Sequence, residues 1–412
     1  MRNLIVGVVV GVVVGIVVGT TVIAPRLKLP AQEARLKWDR DAEGAARVQR
    51  SLPATARLEA AARPAPPPAE PEPAAAPEAP AEADDAPPLR WRMASAYAST
   101  IPQLGGLAKR LESTVWHISG GDIGITFYEP GTLVAASEMF DAVRSGAIDA
   151  AFATPMTWAD KNPAFQLFAA VPFGPPVQEY LAWMFVGGGR EISETLHHAQ
   201  GVHPIVCGAL APEGSGWFRK PVKTLAEFKA LRIGMNGLGG KVAKALGATV
   251  MEMAESDVFV ALESNLIDGA EASQPAVDLT LGLHQLAGHY YFPSWHQPAT
   301  LLTLIVNLEA WQALSANQRA QIDAACGDNV RHGLADGEAR QFGALKELIK
   351  LGTEIETWAP DILDALEAAW RRVSDAEAQR NPDFQRAWTS LRTFREEYGI
   401  WREIGEGTPL RR

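Results

Sequence analysis

The chain has 412 residues, 47% of them hydrophobic and 21% charged, enough for a sizeable core in more than one domain, which excludes a fibrous or wholly disordered protein. Its 48 acidic residues outnumber its 38 basic ones, for a net charge of −10, so nucleic acid is not an expected partner. Two cysteines, Cys207 and Cys326, exclude a disulfide scaffold and a cysteine-based zinc site, and their pairing stays open.

In chain order, Leu4 to Ala24 is an uncharged apolar run, and about 20 such residues cover the hydrocarbon thickness of a bilayer. Residues 1–25 are therefore read as an uncleaved transmembrane signal anchor. The rival, a cleaved signal peptide, has a shorter apolar region, and its best cleavage site would be followed by Pro25. Arg26, Lys28, Arg35 and Lys37 after the run would by the positive-inside rule keep the C-terminal part in the cytoplasm. Residues 26–88 are a juxtamembrane segment and a linker dominated by Pro and Ala from Pro53 onward. In polyproline II form that linker reaches about 110 Å and buries nothing.

From Leu89 strand and helix patterns alternate. A strand is expected over Leu89 to Ser95, a helix carrying Leu104, Leu107, Leu111 and Val115, a strand from Ile123 to Phe127, a helix from Leu133 to Ser145 and a strand from Ile148 to Phe152. This βαβαβ order predicts a mostly parallel sheet. The segment Ser137 to Thr154 then recurs without gaps as Ser256 to Ser273, sharing Phe140/Phe259, Ile148/Ile267 and Asp149/Asp268. A capping box at Thr224 and Glu227, a strand around Leu231 to Met235, a helix from Gly240 to Leu246 and a strand over Thr249 to Met251 precede the second copy. Two similar α/β lobes follow, and ligands in such sheets bind beyond the carboxyl ends of the strands. The loops Ala153 to Trp158 and Ala272 to Val277 are thus expected to face one ligand.

No catalytic motif survives inspection, so the chain is not read as an enzyme. The glycines at 234, 237, 239 and 240 lack the Gly at 235 and the Ser or Thr at 242 that a phosphate loop requires, so they predict a strand-to-helix turn. His197, His198 and His203 lack a metal-binding spacing and are read as surface histidines. The aromatic run from His289 to Pro298 has two readings, an edge strand packed on the core or a segment returning to the cleft.

These residues resemble the extracytoplasmic solute receptors of TRAP (tripartite ATP-independent periplasmic) transporters, in the branch that binds small carboxylates such as 2-oxo acids. The resemblance runs from about Arg90 to Trp401 and rests on FDAVRSGAIDAAFAT (140–154), NPAFQLFAAVPFG (162–174), GWFRK (216–220), FKALRIGMNGLGGKVAKALGA (228–248), ALESNLIDGAE (261–271) and YYFPSWHQPAT (290–300). It implies a two-lobed α/β fold of the periplasmic-binding-protein type (type II-like) with a central ligand cleft, lobe I over 89–213 and lobe II over 214–412, whose long C-terminal helices pack across both lobes. It also implies exposure to the periplasm, here anchored to the inner membrane, and handover of the solute to the membrane subunits of a TRAP transporter. Some relatives dimerise through their C-terminal helices, so the apolar faces of Asp361 to Ala378 and Phe384 to Phe394 carry a homodimer as the alternative to packing within one chain.

The resemblance implies ligand-binding residues at Tyr97, Trp158, Glu213, Trp217, Asn236, Glu271, Gln274 and His296, with Glu213 and Glu271 as ligands for a Na⁺ or Ca²⁺ ion, and strand alternation adds Arg232 as a candidate. This chain departs from the family at three of its positions. Gly234 stands where the family's carboxylate-pairing Arg is expected, Ala272 replaces a Trp, and Glu213 replaces a Gln. An organic acid should therefore bind weakly unless a cation bridges Glu213 and Glu271, or Arg232, two residues from Gly234 along a strand, turns inward; the alternative for Arg232 is a solvent-facing side chain at a lobe edge. The expected function is a membrane-tethered periplasmic solute-binding protein for an organic acid. The alternative is a receptor-derived sensory or interaction module that has lost carboxylate binding.

Overall fold

The computed structural model describes residues 88–406 apart from 211, 254 and 272. The expected anchor (1–25), all but the last residue of the segment 26–88, and Ala272 lie outside the described residues. No helix among the described residues is long and apolar enough to cross a membrane.

Strand β1 (Leu89–Ser95), helix α1 (Gly105–Ile118), β2 (Ile123–Tyr128), α2 (Met139–Arg144) and β3 (Ala150–Ala153) form the expected βαβαβ unit, and β1 pairs in parallel with β2 and β3. Leu107, Leu111 and Val115 bury the stripe that their spacing predicts. Helices α3 (Val177–Phe185) and α4 (Gly189–His198) lead to β4 (Val202–Leu210). The chain then builds a second sheet from β5 (Gly216–Phe218), α5 (Leu225–Lys229), β6 (Arg232–Gly234), α6 (Gly237–Leu246), β7 (Thr249–Met251), α7 (Glu255–Glu263), β8 (Gly269–Ala270), α8 (Pro275–Leu281) and β9 (His289–Phe292). The capping box starts α5: Glu227 N–H donates to Thr224 Oγ1 at 3.2 Å while Thr224 N–H donates to Glu227 Oε2 at 3.0 Å.

Next comes β10 (Thr300–Asn307), which departs from a division of the chain at residue 214. It lies in the first sheet, ordered β2-β1-β3-β10-β4, and is antiparallel to both neighbours. Its run of seven buried residues explains the placement, because a strand covered on both faces belongs in the middle of a sheet. After α9 (Leu308–Gln312) and the 35-residue α10 (Ala316–Lys350), β11 (Glu354–Thr357) completes the second sheet, ordered β11-β9-β5-β8-β6-β7. The aromatic strand β9 is therefore internal, flanked by β11 and β5. Its Tyr290 and Tyr291 are buried, while the turn beyond it returns to the cavity described below.

The two copies of the repeat occupy matching places. Asp149 accepts the Arg92 backbone N–H at 2.8 Å and Nε at 3.1 Å, and Asp268 accepts the Arg232 backbone N–H at 2.9 Å and Nε at 3.0 Å. In each sheet the shared aspartate thus ties the start of one strand to the arginine of its parallel neighbour.

Helix α10 packs on β4, α1 and α8, and the Cys207–Cys326 disulfide joins it to β4. Helix α11 (Pro360–Arg380) packs on α6, and α12 (Pro382–Trp401) packs on α3, α4 and the turn at Pro163–Phe168. Glu179 of α3, fully buried, receives Arg395 Nε at 3.1 Å and Arg402 Nη1 at 2.9 Å, so the charge that burial would penalise is compensated from the C-terminal end.

Candidate functional site

A cavity of about 840 Å³ opens beyond the carboxyl ends of β1, β3, β6 and β8. Tyr97 follows β1, Thr154 follows β3, Asn236 follows β6 and Glu271 follows β8, while Glu213 sits between β4 and β5 and Thr300 begins β10. Each wall therefore comes from the point where a strand ends, as α/β topology favours. Helix α6 approaches so closely that a Cβ on Gly237, which has φ +59°, would lie 2.3 Å from Met156 Sδ. Only glycine fits both that backbone and that gap.

Carboxylates dominate the charged part of the lining, with Asp160, Glu213, Glu252, Glu271 and Asp278, and among the described residues no arginine lines it. Lys241 also lines the space, and its Nζ lies 3.0 Å from Glu377. Buried Glu213 accepts a hydrogen bond from Thr300 Oγ1 at 2.9 Å, and Glu271 Oε1 accepts from the Asn236 N–H at 3.0 Å. Asn236 is itself fixed, because its amide donates to Met253 O at 2.9 Å and accepts Met253 N–H at 3.1 Å. Tyr97 Oη receives the Thr154 N–H at 3.3 Å. Burial pushes the Asp278 carboxyl up to about 6, although Trp217 Nε1 at 2.9 Å and the Ser273 N–H at 2.9 Å both donate to it.

The structure thus brings Tyr97, Glu213, Asn236 and Glu271 to one cavity and places the other five expected residues off its surface. Trp158 is a core residue packed on Phe140 at 5.8 Å. Trp217 is fully buried against Tyr290 at 4.1 Å and reaches the cavity only through Asp278. Gln274 is buried at the start of α8, where its Oε1 accepts from Gln341 Nε2 of α10 at 3.2 Å. His296 is buried behind Glu271, with Nε2 3.8 Å from Oε2, and burial lowers it to about 3, so the ring is neutral and the contact is not an ion pair. Arg232 sits at the opposite end of β6 from the cavity, exposed and clamped by Asp268 through Nε at 3.0 Å and Nη2 at 2.6 Å. Strand alternation correctly puts it on Gly234's face, but the cavity lies past the other end of the strand, so the inward turn of Arg232 is excluded.

Several lining residues carried no signal of their own in the sequence. Met253 fills the volume over Gly234, where a Cβ would lie 3.1 Å from Met253 Sδ and 3.2 Å from Ile267 Cδ1. Gln166 and Met156 face the start of α6 from the other side of the cavity. The three histidines at 197, 198 and 203 are also not simply on the surface. His197 and His203 are buried, His197 stacking on Phe165 at 4.1 Å and His203 on Trp311 at 4.2 Å.

Comparison with known proteins places this geometry. Residues 93–381 match the family model described as bacterial extracellular solute-binding protein, family 7. A monocarboxylate 2-oxoacid-binding periplasmic protein of Nostoc sp. is 28% identical over 320 residues, 78% of this chain and 88% of that protein. A TRAP transporter solute-binding protein of Bordetella bronchiseptica, a mixed-occupancy dimer with calcium and picolinate in one active site, superposes with TM-score 0.75 at 29% identity, covering 78% of this chain and 96% of the other. One from Pseudoalteromonas atlantica with bound sodium and pyruvate gives TM-score 0.74 at 26% identity over 77% and 97%. With a family match across most of the described residues and the cavity at the strand ends, the chain belongs to the bacterial extracellular solute-binding proteins of family 7, the periplasmic receptors of TRAP transporters, which bind solutes and are not enzymes.

Proposed function

We propose that this receptor captures a small 2-oxo or similarly chelating monocarboxylate through a Ca²⁺ or Na⁺ ion held by Glu213 and Glu271. The observation that carries the reading is the charge of the cavity: among the described residues five carboxylates line it, no arginine does, and its lysine is paired with Glu377. An anion entering alone meets like charge in a partly desolvated space. A hard cation takes oxygen ligands and reverses that field, leaving coordination positions for the solute. Pyruvate and picolinate, held with an ion by the two superposed receptors, each place a second donor atom on the carbon next to the carboxylate, which suits chelation of one ion.

In calorimetric titrations of the purified chain with pyruvate at saturating Ca²⁺, Glu271→Gln or Glu213→Gln should lose about 2–5 kcal/mol of binding free energy. Arg232→Ala, which alters only the clamp to Asp268, should leave binding within about twofold, well below 1.4 kcal/mol. Equal affinity in wild type and both Glu variants would remove the cation from the account.

We also infer that residues 1–25 tether the receptor to the inner membrane with residues 89–412 in the periplasm and 26–88 as a spacer. The support is the length of the uncharged run together with the periplasmic family. A C-terminal reporter active only in the periplasm should be active, with the intact chain in the membrane fraction. A soluble product that begins after residue 24 would contradict the tether.

A further inference from the structure

We propose that His289, Glu354 and Glu356 form a second cation site, for zinc or a transition-metal ion of similar preference, on the second sheet and apart from the cleft. None of the three lines the cavity. In the parallel pair of β9 and β11, Glu354 stands opposite His289, and Glu356, two residues on, shares its face. His289 Nδ1 lies 3.1 Å from Glu356 Oε1 and 3.5 Å from Glu354 Oε2, and the three donor atoms are all within 4.8 Å of one another.

Those separations fit a tetrahedral ion. Zn–N and Zn–O bonds of about 2.0–2.1 Å imply ligand-to-ligand edges of about 3.3 Å, and the two measured edges bracket that length. The third edge, between the carboxylates, closes by rotation of Glu354, whose side chain is 71% exposed and free to turn. The ligand types discriminate as well: an imidazole with two carboxylates suits zinc and its neighbours, whereas calcium and magnesium favour oxygen alone. The fourth position faces solvent and would take water.

The frame is rigid enough to matter. His289 is largely buried, and the Glu354 N–H donates to Gly288 O at 2.8 Å, which fixes the start of β11. Because β11 connects α10 to α11, an ion here pins the passage from the long helix to the C-terminal helices. Without an ion, two carboxylates on one face of an edge strand repel each other.

The test uses the full chain carrying Glu213→Gln and Glu271→Gln, so that the cleft does not compete, after removal of metal with EDTA. Titration with Zn²⁺ should show one ion per chain with micromolar affinity and a raised Tm, and an equal concentration of Ca²⁺ should not displace it. Adding His289→Ala or, separately, Glu354→Gln should abolish or strongly weaken that binding. Glu354 is exposed, so the second variant stays folded and decides the matter even if His289→Ala does not fold. No saturable Zn²⁺ binding in the parent, or binding unchanged by Glu354→Gln, would overturn the site.

Discussion

Lowering the pH from 7 to 5 should reduce the unfolding free energy of the chain by about 4 kcal/mol. The cause is three buried imidazoles. Burial lowers His197, His203 and His296 to about 3 from an ordinary value of 6.5. Among the described residues each has a ring nitrogen without a hydrogen-bond partner, His197 Nε2, His203 Nε2 and His296 Nε2; a second proton on His197 or His203 would find no acceptor there, and on His296 it would meet only Glu271 Oε2 at 3.8 Å, beyond hydrogen-bond reach. A group whose folded value is depressed contributes stability above its unfolded value and loses it as pH falls. Here the loss begins near pH 6.5 and continues towards 3, at about 1.4 kcal/mol per group per pH unit.

Asp278 opposes this trend. Its folded value is raised to about 6 from 3.8, so the folded chain binds its proton more tightly and gains stability as pH falls from 6 towards 3.8. That gain is about 1.3 kcal/mol between pH 7 and 5, against a loss of about 5.7 from the three histidines, so the histidines win and the net loss is about 4 kcal/mol. Urea unfolding at the two pH values measures the difference, and His197→Phe should flatten the slope by the share of one proton. A free energy of unfolding independent of pH between 7 and 5 would show that these rings are not buried as described.

Removing the disulfide should have an effect of similar size. Cys207 and Cys326 are 119 residues apart in sequence, and cross-linking a loop of that length restricts the unfolded chain by about 4–5 kcal/mol in the loop-closure account. The link is also placed where the fold depends on it, between β4 in the first sheet and α10. Asn329 on the same helix stays behind in a Cys207→Ser/Cys326→Ser variant, its Nδ2 donating to Leu107 O at 3.1 Å and Cys207 O at 2.8 Å. The variant should therefore keep its fold but unfold at lower urea and lower temperature. Both sulfurs are buried, so mild reductant should act slowly on the folded chain. A loss of under about 1 kcal/mol would mean that the unfolded chain is already constrained.

Much of this architecture is legible in the sequence because it depends on local periodicity. The βαβαβ order from Leu89, the capping box at Thr224 and the repeat that shares Asp149 and Asp268 all mark elements that the structure contains. The path of β10 is not legible, since Thr300 to Asn307 reads as a buried strand whichever sheet receives it. The site was half legible for a related reason. Tyr97, Glu213, Asn236 and Glu271 sit at strand ends, where topology alone predicts a cavity. Trp158 and Trp217 are large rings that the core claims first. For Arg232, alternation leaves two readings, a side chain turned into the cleft or an exposed one at the lobe edge, and the structure has the exposed one, because the cavity lies past the other end of the strand. The repeat held the missing clue: Asp149 holds Arg92, so its counterpart Asp268 should hold Arg232, and both arginines serve the fold.

The most direct measurement is calorimetric titration of the purified chain with pyruvate, first in a Na⁺-free buffer with EDTA and then, after EDTA is removed, with saturating Ca²⁺ or Na⁺. A cavity lined by carboxylates and, among the described residues, by no arginine predicts no detectable binding without the cation and micromolar binding once it is restored. Micromolar binding in EDTA, unchanged by either cation, would contradict the account.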